Sequence, residues 1–236
     1  MRMDNGPAQL PPTSPAKLGL IPFAILIVAG GLLVLNWQRL PERWAVHWNA
    51  GGQPDQWANK TPLAIFLPLA FGALVCLILE VVAVAVSRST RSGQYAESHP
   101  EAAAVMSREA AQFLRLIGIS LAIIFSFVSV GLPLVQPKKP ATIIAFAFVV
   151  IFVTVIYGLR RTLAAARSLR ERGMLEGVEG WSGLTYGNPN DPRLFVPRAF
   201  TPGYTLNFAH PWAWPLVLLL LLTPLLVVVL VVRAVS

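Results

Sequence analysis

Residues 62–87 read PLAIFLPLAFGALVCLILEVVAVAVS, and Glu80 is the one charged side chain in this run. An α-helix rises about 1.5 Å per residue, so the run is long enough to cross about 30 Å of hydrocarbon. Lipid offers no hydrogen-bond partner to backbone N–H and C=O groups, so a spanning segment of this kind must be helical. The run therefore predicts a transmembrane helix.

Four further runs have a similar length and composition, and they cover residues 18–37, 113–135, 141–159 and 213–232. The whole chain is 55% hydrophobic and 13% charged, whereas soluble domains carry about 25% charged residues. The sequence thus predicts an all-α membrane protein with about five transmembrane helices.

The basic residues are distributed unequally between the two sets of loops. One set holds Arg2, Lys17, Arg88, Arg91, Arg108, Arg115, Arg160, Arg161, Arg167, Arg170, Arg172, Arg193 and Arg198, and the other holds Arg39, Arg43, Lys60, Lys138, Lys139 and Arg233. Because lysine and arginine are retained in the cytoplasm during insertion, we expect a cytoplasmic N-terminus and an outer C-terminus. The net charge of +8 then reflects the topology and contact with the lipid bilayer, which is the expected partner. No direct contact with nucleic acid is expected. The expected location is the bacterial cytoplasmic membrane, as a multi-pass protein.

Composition divides the chain into five parts. They are a disordered Pro-rich tail at 1–17, a two-helix membrane domain at 18–87 with an outer loop at 38–61, helices 3 and 4 with an amphipathic connector at 88–159, a basic helical stem and compact loop at 160–212, and the last helix at 213–236. The stem is expected to end at Gly173, a residue type common just past helix C-termini.

The loop between helices 4 and 5 is rich in Gly, Pro and Asn, which fix turns. It also holds the aromatic residues Trp181, Tyr186, Phe195, Phe200, Tyr204 and Phe208. Such side chains need burial, so we expect a compact, irregular cytoplasmic loop without helix or strand, docked beside the fourth and fifth spans.

The outer loop reads LPERWAVHWNAGGQPDQWANK at residues 40–60. An extended stretch would place Trp44, Val46 and Trp48 on one face and His47 on the other. The glycines that follow permit a tight turn. That turn would bring Asp55 and Lys60 back toward His47 and Asn49, which predicts a polar cluster rimmed by tryptophans.

The spacing Leu-Pro-x5-His-Trp-Asn-x2-Gly-x2-Asp-x-Trp-x2-Lys in this loop resembles the uncharacterised N-terminal membrane domain of SdpI-type immunity proteins. The resemblance covers residues 18–87. By that resemblance the signature and candidate binding positions are His47, Asn49, Gly52, Asp55, Trp57 and Lys60.

A second pair of strings, YGNPNDPRLFVPR at 186–198 and TLNFAHP at 205–211, is similar to another uncharacterised domain that often accompanies the first. Thr201 stands where that family tends to have glycine. The signature positions implied here are Asn188, Asp191, Pro192, Phe195, Asn207 and His210.

Neither resemblance brings a biochemical activity with it. The SdpI resemblance implies immunity to, or sensing of, an extracytoplasmic membrane-active peptide by binding, with signalling to a cytoplasmic regulator as a further option. No catalytic residue, cofactor or metal site is expected. One His and one carboxylate fall short of the three or four ligands that zinc takes, and the single cysteine, Cys76, excludes an intrachain disulfide.

Two alternatives remain at this point. A transporter or channel component would use Glu80, because an ionisable group within a span is a functional candidate by default. Glu80 could equally be an anchor that pairs with Arg115 near the inner end of its span. A membrane enzyme would use His47 and Asp55 as acid and base.

Overall fold

A computed structural model describes residues 16–49, 51–89, 93–135, 141–182 and 184–220. The tail expected at residues 1–15 and most of the fifth expected span, residues 221–236, lie outside the described residues; residues 213–220 are helical. Ala16 and Lys17, assigned to the tail from the sequence, belong instead to a 3-10 helix, Ala16–Leu20. That short helix leads directly into the first long helix.

Long helices make up most of the described chain. They are α1 (Ile21–Leu35), α2 (Pro62–Arg88), α3 (Pro100–Val135) and α4 (Ala141–Glu171). Within the described residues, four helical segments are long and apolar enough to cross a membrane: Leu18–Leu35, Pro62–Arg88, Pro100–Leu134 and Ala145–Glu171. The protein is therefore a mostly helical protein of the multi-pass membrane type, as the sequence predicted.

Helix α3 is the central element, since α1, α2 and α4 all pack against it. It begins at Pro100, where a missing N–H costs nothing, and Glu101 lies in its first turn near the positive end of the helix dipole. The amphipathic connector thus continues without a break into the third span. Between α3 and α4, Ser120 Oγ and Thr154 Oγ1 lie 2.5 Å apart and share a hydrogen bond.

A two-stranded antiparallel hairpin joins α1 to α2 at one end of the bundle. Its strands are β1 (Arg43–Trp48) and β2 (Pro54–Asn59), and we call this end the hairpin end. Helix α2 begins there at Pro62, and the Ala64 N–H donates to Thr61 Oγ1 at 3.2 Å, which caps the helix. Strand β1 also contacts α3, so the hairpin lies on the bundle.

The loop-end unit, residues 172–182 and 184–212, lies at the opposite end of the bundle. Helix α4 ends with Gly173 at φ +71° and a Met174 N–H to Leu169 C=O bond of 3.0 Å, the Schellman arrangement expected at Gly173. The unit holds two small antiparallel sheets, formed by β3 (Trp181–Ser182) with β4 (Thr185–Tyr186) and by β5 (Phe195–Pro197) with β6 (Tyr204–Leu206).

One expectation for this unit was wrong. Short strands occur where turns alone were expected, because paired segments of two or three residues are too short to give a periodic sequence signal. The unit packs on the end of α4, which continues the fourth span, and also on the first half of α3, which was not expected; most of the fifth span lies outside the described residues. Its core is formed by Ala96, Ala102, Ala103, Val105, Met106, Leu169, Val178, Trp181, Tyr186, Val196, Ala199 and Phe200. The small side chains of α3 leave room for the aromatic rings.

Candidate functional site

The turn of the β1–β2 hairpin is fixed by Asn49 and Gly52. Asn49 exchanges two hydrogen bonds with Gln53: its N–H donates to the Gln53 C=O at 2.9 Å, and its Oδ1 accepts from the Gln53 N–H at 3.0 Å. Gly52 has φ +75°, a conformation that side chains with a Cβ disfavour. Both signature residues therefore act on the backbone of the turn.

The expected alternation along β1 is interrupted in the structure. Trp44 is buried among Leu33, Leu40 and Ile65 at the hairpin end of the bundle. The pairing register shifts between Ala45 and His47, which turns Val46 outward and breaks the expected face of Trp44, Val46 and Trp48. A bulge of this kind re-aims the side chains that follow it.

His47 and Asp55 come together as expected. His47 Nδ1 lies 2.6 Å from Asp55 Oδ1, and their side chains are 55% and 39% exposed. With a proton on Nδ1 the imidazole donates to the Asp55 carboxylate. Within the described residues no side chain is hydrogen-bonded to Nε2.

Trp57 extends this polar pair into a mixed surface. It lies two residues after Asp55 on β2 and pairs with Ala45 of β1; the pairing register shifts again between His47 and Trp48, beside Asp55. Its ring is 48% exposed, and the Arg43 guanidinium carbon lies 6.0 Å from the ring centroid. We call Arg43, His47, Asp55 and Trp57 the exposed face of the hairpin.

Lys60 does not join this face. Its Nζ donates to the Leu40 C=O at 3.1 Å and to Glu42 Oε1 at 3.2 Å, and it lies 5.8 Å from the centre of the Trp37 ring. The Lys60 side chain is 9% exposed. It closes the base of the hairpin, where the chain enters α2. The six signature residues thus divide into three that hold the hairpin, Asn49, Gly52 and Lys60, and three that are exposed, His47, Asp55 and Trp57.

In the second motif, Asn207 is the organising residue. Its side chain is fully buried and makes four hydrogen bonds to the backbone. Oδ1 accepts from the N–H groups of Asn188 at 3.0 Å and Ala209 at 3.2 Å, while Nδ2 donates to the C=O groups of Asn188 at 2.8 Å and Asp191 at 2.9 Å. Asn207 therefore ties β6 to the turn at 188–191.

Asp191 forms a second centre beside it. Its Oδ1 accepts from the Arg193 N–H and Nε, and its Oδ2 accepts from the Arg193 guanidinium at 2.7 Å and from the Tyr186 hydroxyl at 3.0 Å. The Arg193 side-chain bonds hold the pKa of Asp191 well below its usual range. Burial, followed by the contacts with Asp191, raises the pKa of Tyr186. Asp191 is therefore ionised at neutral pH and serves as a structural group.

The remaining residues of this motif have separate positions. Asn188 Oδ1 accepts from the Asn190 N–H at 2.9 Å, forming an Asx turn. His210 Nδ1 accepts from the Trp212 N–H at 3.2 Å. Pro192 and Phe195 are exposed, so they take no part in the hydrogen-bond network around Asn207.

Glu80 is paired with Arg115. Arg115 Nε lies 3.1 and 3.0 Å from the two carboxylate oxygens, and its terminal nitrogen lies 2.8 Å from Oε1. A Cβ added to Gly19 would lie 2.5 Å from the Glu80 carboxyl carbon, so the start of the first span also touches this pair. The pairing with Arg115 that the anchor interpretation expected is therefore present.

A second pair of glutamate and arginine, which the sequence analysis did not single out, joins α3 to α4. Arg161 of α4 donates to both carboxylate oxygens of Glu109 on α3, at 3.2 and 2.9 Å. Both residues lie on amphipathic helix segments with many charges. Their pairing depends on how the two helices are rotated against each other, which the sequence pattern does not specify.

Both motifs overlap with family matches. Residues 24–72 match the family described as Domain of unknown function (DUF1648), and residues 189–214 match the Family of unknown function (DUF5808). These matches agree with the two uncharacterised domains expected from the motifs, and neither carries an activity. Neither a curated protein nor a solved structure matches the chain.

Proposed function

We propose that the protein is a non-catalytic, SdpI-like protein of the bacterial cytoplasmic membrane that binds a membrane-active peptide at the exposed face of its hairpin. Binding there confers immunity to the peptide or reports its presence. The proposal rests on the two separate roles of the signature residues in the hairpin. Its base and turn are held by internal bonds, while His47, Asp55 and Trp57 are exposed together.

The chemistry of this face suits an amphipathic, cationic ligand. Such peptides collect at the boundary between water and hydrocarbon, and the hairpin lies between the ends of two candidate spans. Asp55 offers a carboxylate to a cationic group, and Trp57 offers both apolar area and a ring face for a cation.

The distribution of arginine supports an outward-facing hairpin. Of the arginines in the described residues, Arg39 and Arg43 lie at the hairpin end, and the others are on the opposite half of the bundle or in the loop-end unit. Retention of arginine in the cytoplasm then favours an outer hairpin and a cytoplasmic loop-end unit. A cytoplasmic regulator, if the protein signals, would meet the loop-end unit.

The two alternatives have less support. A transporter would need a polar group that can bind its substrate on a path through the helix bundle. The Glu80 carboxylate is instead in an ion pair with Arg115. An enzyme using His47 and Asp55 would need a site that excludes water, whereas this pair is exposed.

A genetic experiment tests the proposal. Cells lacking the gene should become more sensitive to at least one cationic membrane-active peptide in a panel. Wild-type protein and the Gln56→Ala variant, altered at an exposed neighbour, should restore resistance. Asp55→Asn at the same protein level should restore it poorly. A deletion strain as resistant as its parent to every peptide would remove the immunity interpretation.

A further inference from the structure

The β5–β6 hairpin of the loop-end unit has one buried and one exposed face. Phe195 pairs with Leu206, and Pro197 pairs with Tyr204. Directly paired residues and residues two apart share a face, so these four apolar side chains lie on one side. Val196, on the other side, is buried in the core of the unit.

The exposed side carries large aromatic rings. Phe195 is 57% exposed and Tyr204 is 68% exposed. Water-facing rings next to each other on a small sheet are unfavourable unless something covers them. No described segment of the chain covers these two rings.

The position of the hairpin in the chain indicates what covers them. Strand β6 ends at Leu206, and the helical residues 213–220 of the last apolar run begin seven residues later. Hydrogen bonds from the His210 N–H to the Asn207 C=O and from the Ala213 N–H to the His210 C=O fold this connection back on itself. The hairpin therefore lies close to the point where the chain enters the apolar layer. Trp212 and Trp214, both exposed, are of the type that sits at the headgroup level.

A positive charge in the same hairpin favours an anionic membrane surface as the cover of these rings. Arg198 follows β5, and its Nε donates to the Tyr204 C=O at 3.3 Å, so the guanidinium lies against the backbone of β6. Among the described residues, Arg198 is in no ion pair. An arginine in the same hairpin as exposed aromatic side chains is a combination that binds anionic headgroups while the rings enter the acyl boundary.

We propose that the β5–β6 hairpin is a membrane-surface anchor: its Phe195 and Tyr204 side chains enter the headgroup layer of the adjacent leaflet, and Arg198 binds anionic lipid there. This inference requires the helices to span a membrane and is independent of peptide binding at the other end. The anchor would hold the loop-end unit against the bilayer and fix its orientation relative to the helices.

Spin-label accessibility on the full chain tests the anchor. In a Cys76→Ala background, a nitroxide is attached at Tyr204→Cys or Phe195→Cys, with exposed Glu179→Cys in the same unit as the control. Each protein is placed in nanodiscs with or without anionic lipid. Oxygen concentrates in the apolar layer, and a water-soluble nickel complex is excluded from it.

The proposal predicts a several-fold higher ratio of oxygen to nickel collisions at positions 204 and 195 than at 179 in anionic nanodiscs. The ratio at these two positions should fall toward the control value without anionic lipid or with Arg198→Gln. Ratios equal to the control in both lipids would place the face in water, and low collision rates with both reagents would indicate a protein contact; either result overturns the anchor. High ratios that ignore lipid charge would overturn the role of anionic headgroups.

Discussion

At the residue scale, several side chains that the motifs single out serve the backbone. Asn207 satisfies two N–H and two C=O groups in the interior of the loop-end unit, and Asn49 does the same on a smaller scale in the hairpin turn. Buried backbone groups without a partner are costly. A motif can therefore reflect the requirements of a fold as readily as those of a ligand.

Replacing Asn207 by Leu should open the loop-end unit. The change removes all four side-chain bonds and leaves buried backbone groups unpaired, at a cost of about 3 kcal/mol. Hydrogen exchange of the Asn188 and Ala209 amides should become much faster. Asn190→Ala, at an exposed position in the same turn, is the matched control and should change stability by no more than about 0.5 kcal/mol. Unchanged exchange in the Leu variant would show that Asn207 is not the organising residue.

At the element scale, the hairpin shows how far pattern analysis reaches. The extended stretch, the glycine turn and the approach of Asp55 to His47 all followed from alternation and spacing. The bulge at Val46 and the position of Lys60 did not follow from them. Both depend on how the base of the hairpin fits the ends of α1 and α2, and that fit involves Trp37, Leu40 and Glu42.

The different positions of Lys60 and Asp55 in the hairpin predict different effects on stability when each is replaced. Lys60→Met removes the bonds to Leu40 and Glu42 from a nearly buried site, so the melting temperature in detergent should fall by about 5 °C. Asp55→Asn, which alters an exposed pair, should leave it nearly unchanged. Equal shifts for the two variants would mean that the exposed face is also part of the structural support.

At the scale of the whole molecule, the apolar runs predicted the long helices, because membrane spans give the strongest signal in a sequence. The packing of the other helices around α3 was harder to predict from the sequence. The pairing of Glu80 with Arg115 was one of two interpretations of the sequence, whereas the pair of Glu109 with Arg161 was not anticipated. The loop-end unit was predicted to be compact, but its docking surface on α3 was not, since alanines at 102 and 103 give no sequence sign of the aromatic rings that they contact.

The orientation of the whole molecule is open to a direct test. Reporter fusions at Asn59 and Glu176 should place the first outside and the second in the cytoplasm, because the arginine-rich half of the bundle is retained inside. Asn59 ends β2 and Glu176 lies in the loop-end unit, so the two sites report opposite ends of the bundle. The reverse pattern would place the hairpin in the cytoplasm and remove an extracytoplasmic peptide as its ligand.

Equilibrium binding tests the central claim, recognition at the exposed face, most directly. The full-length protein in zwitterionic nanodiscs is titrated with a dye-labelled amphipathic helix of leucine and lysine. We expect saturable binding above that of empty nanodiscs. Trp57→Ala should weaken it about tenfold, Asp55→Asn about two- to fivefold, and Gln56→Ala not at all. Binding equal to that of empty nanodiscs, or an affinity that none of these substitutions changes, would contradict recognition by this face.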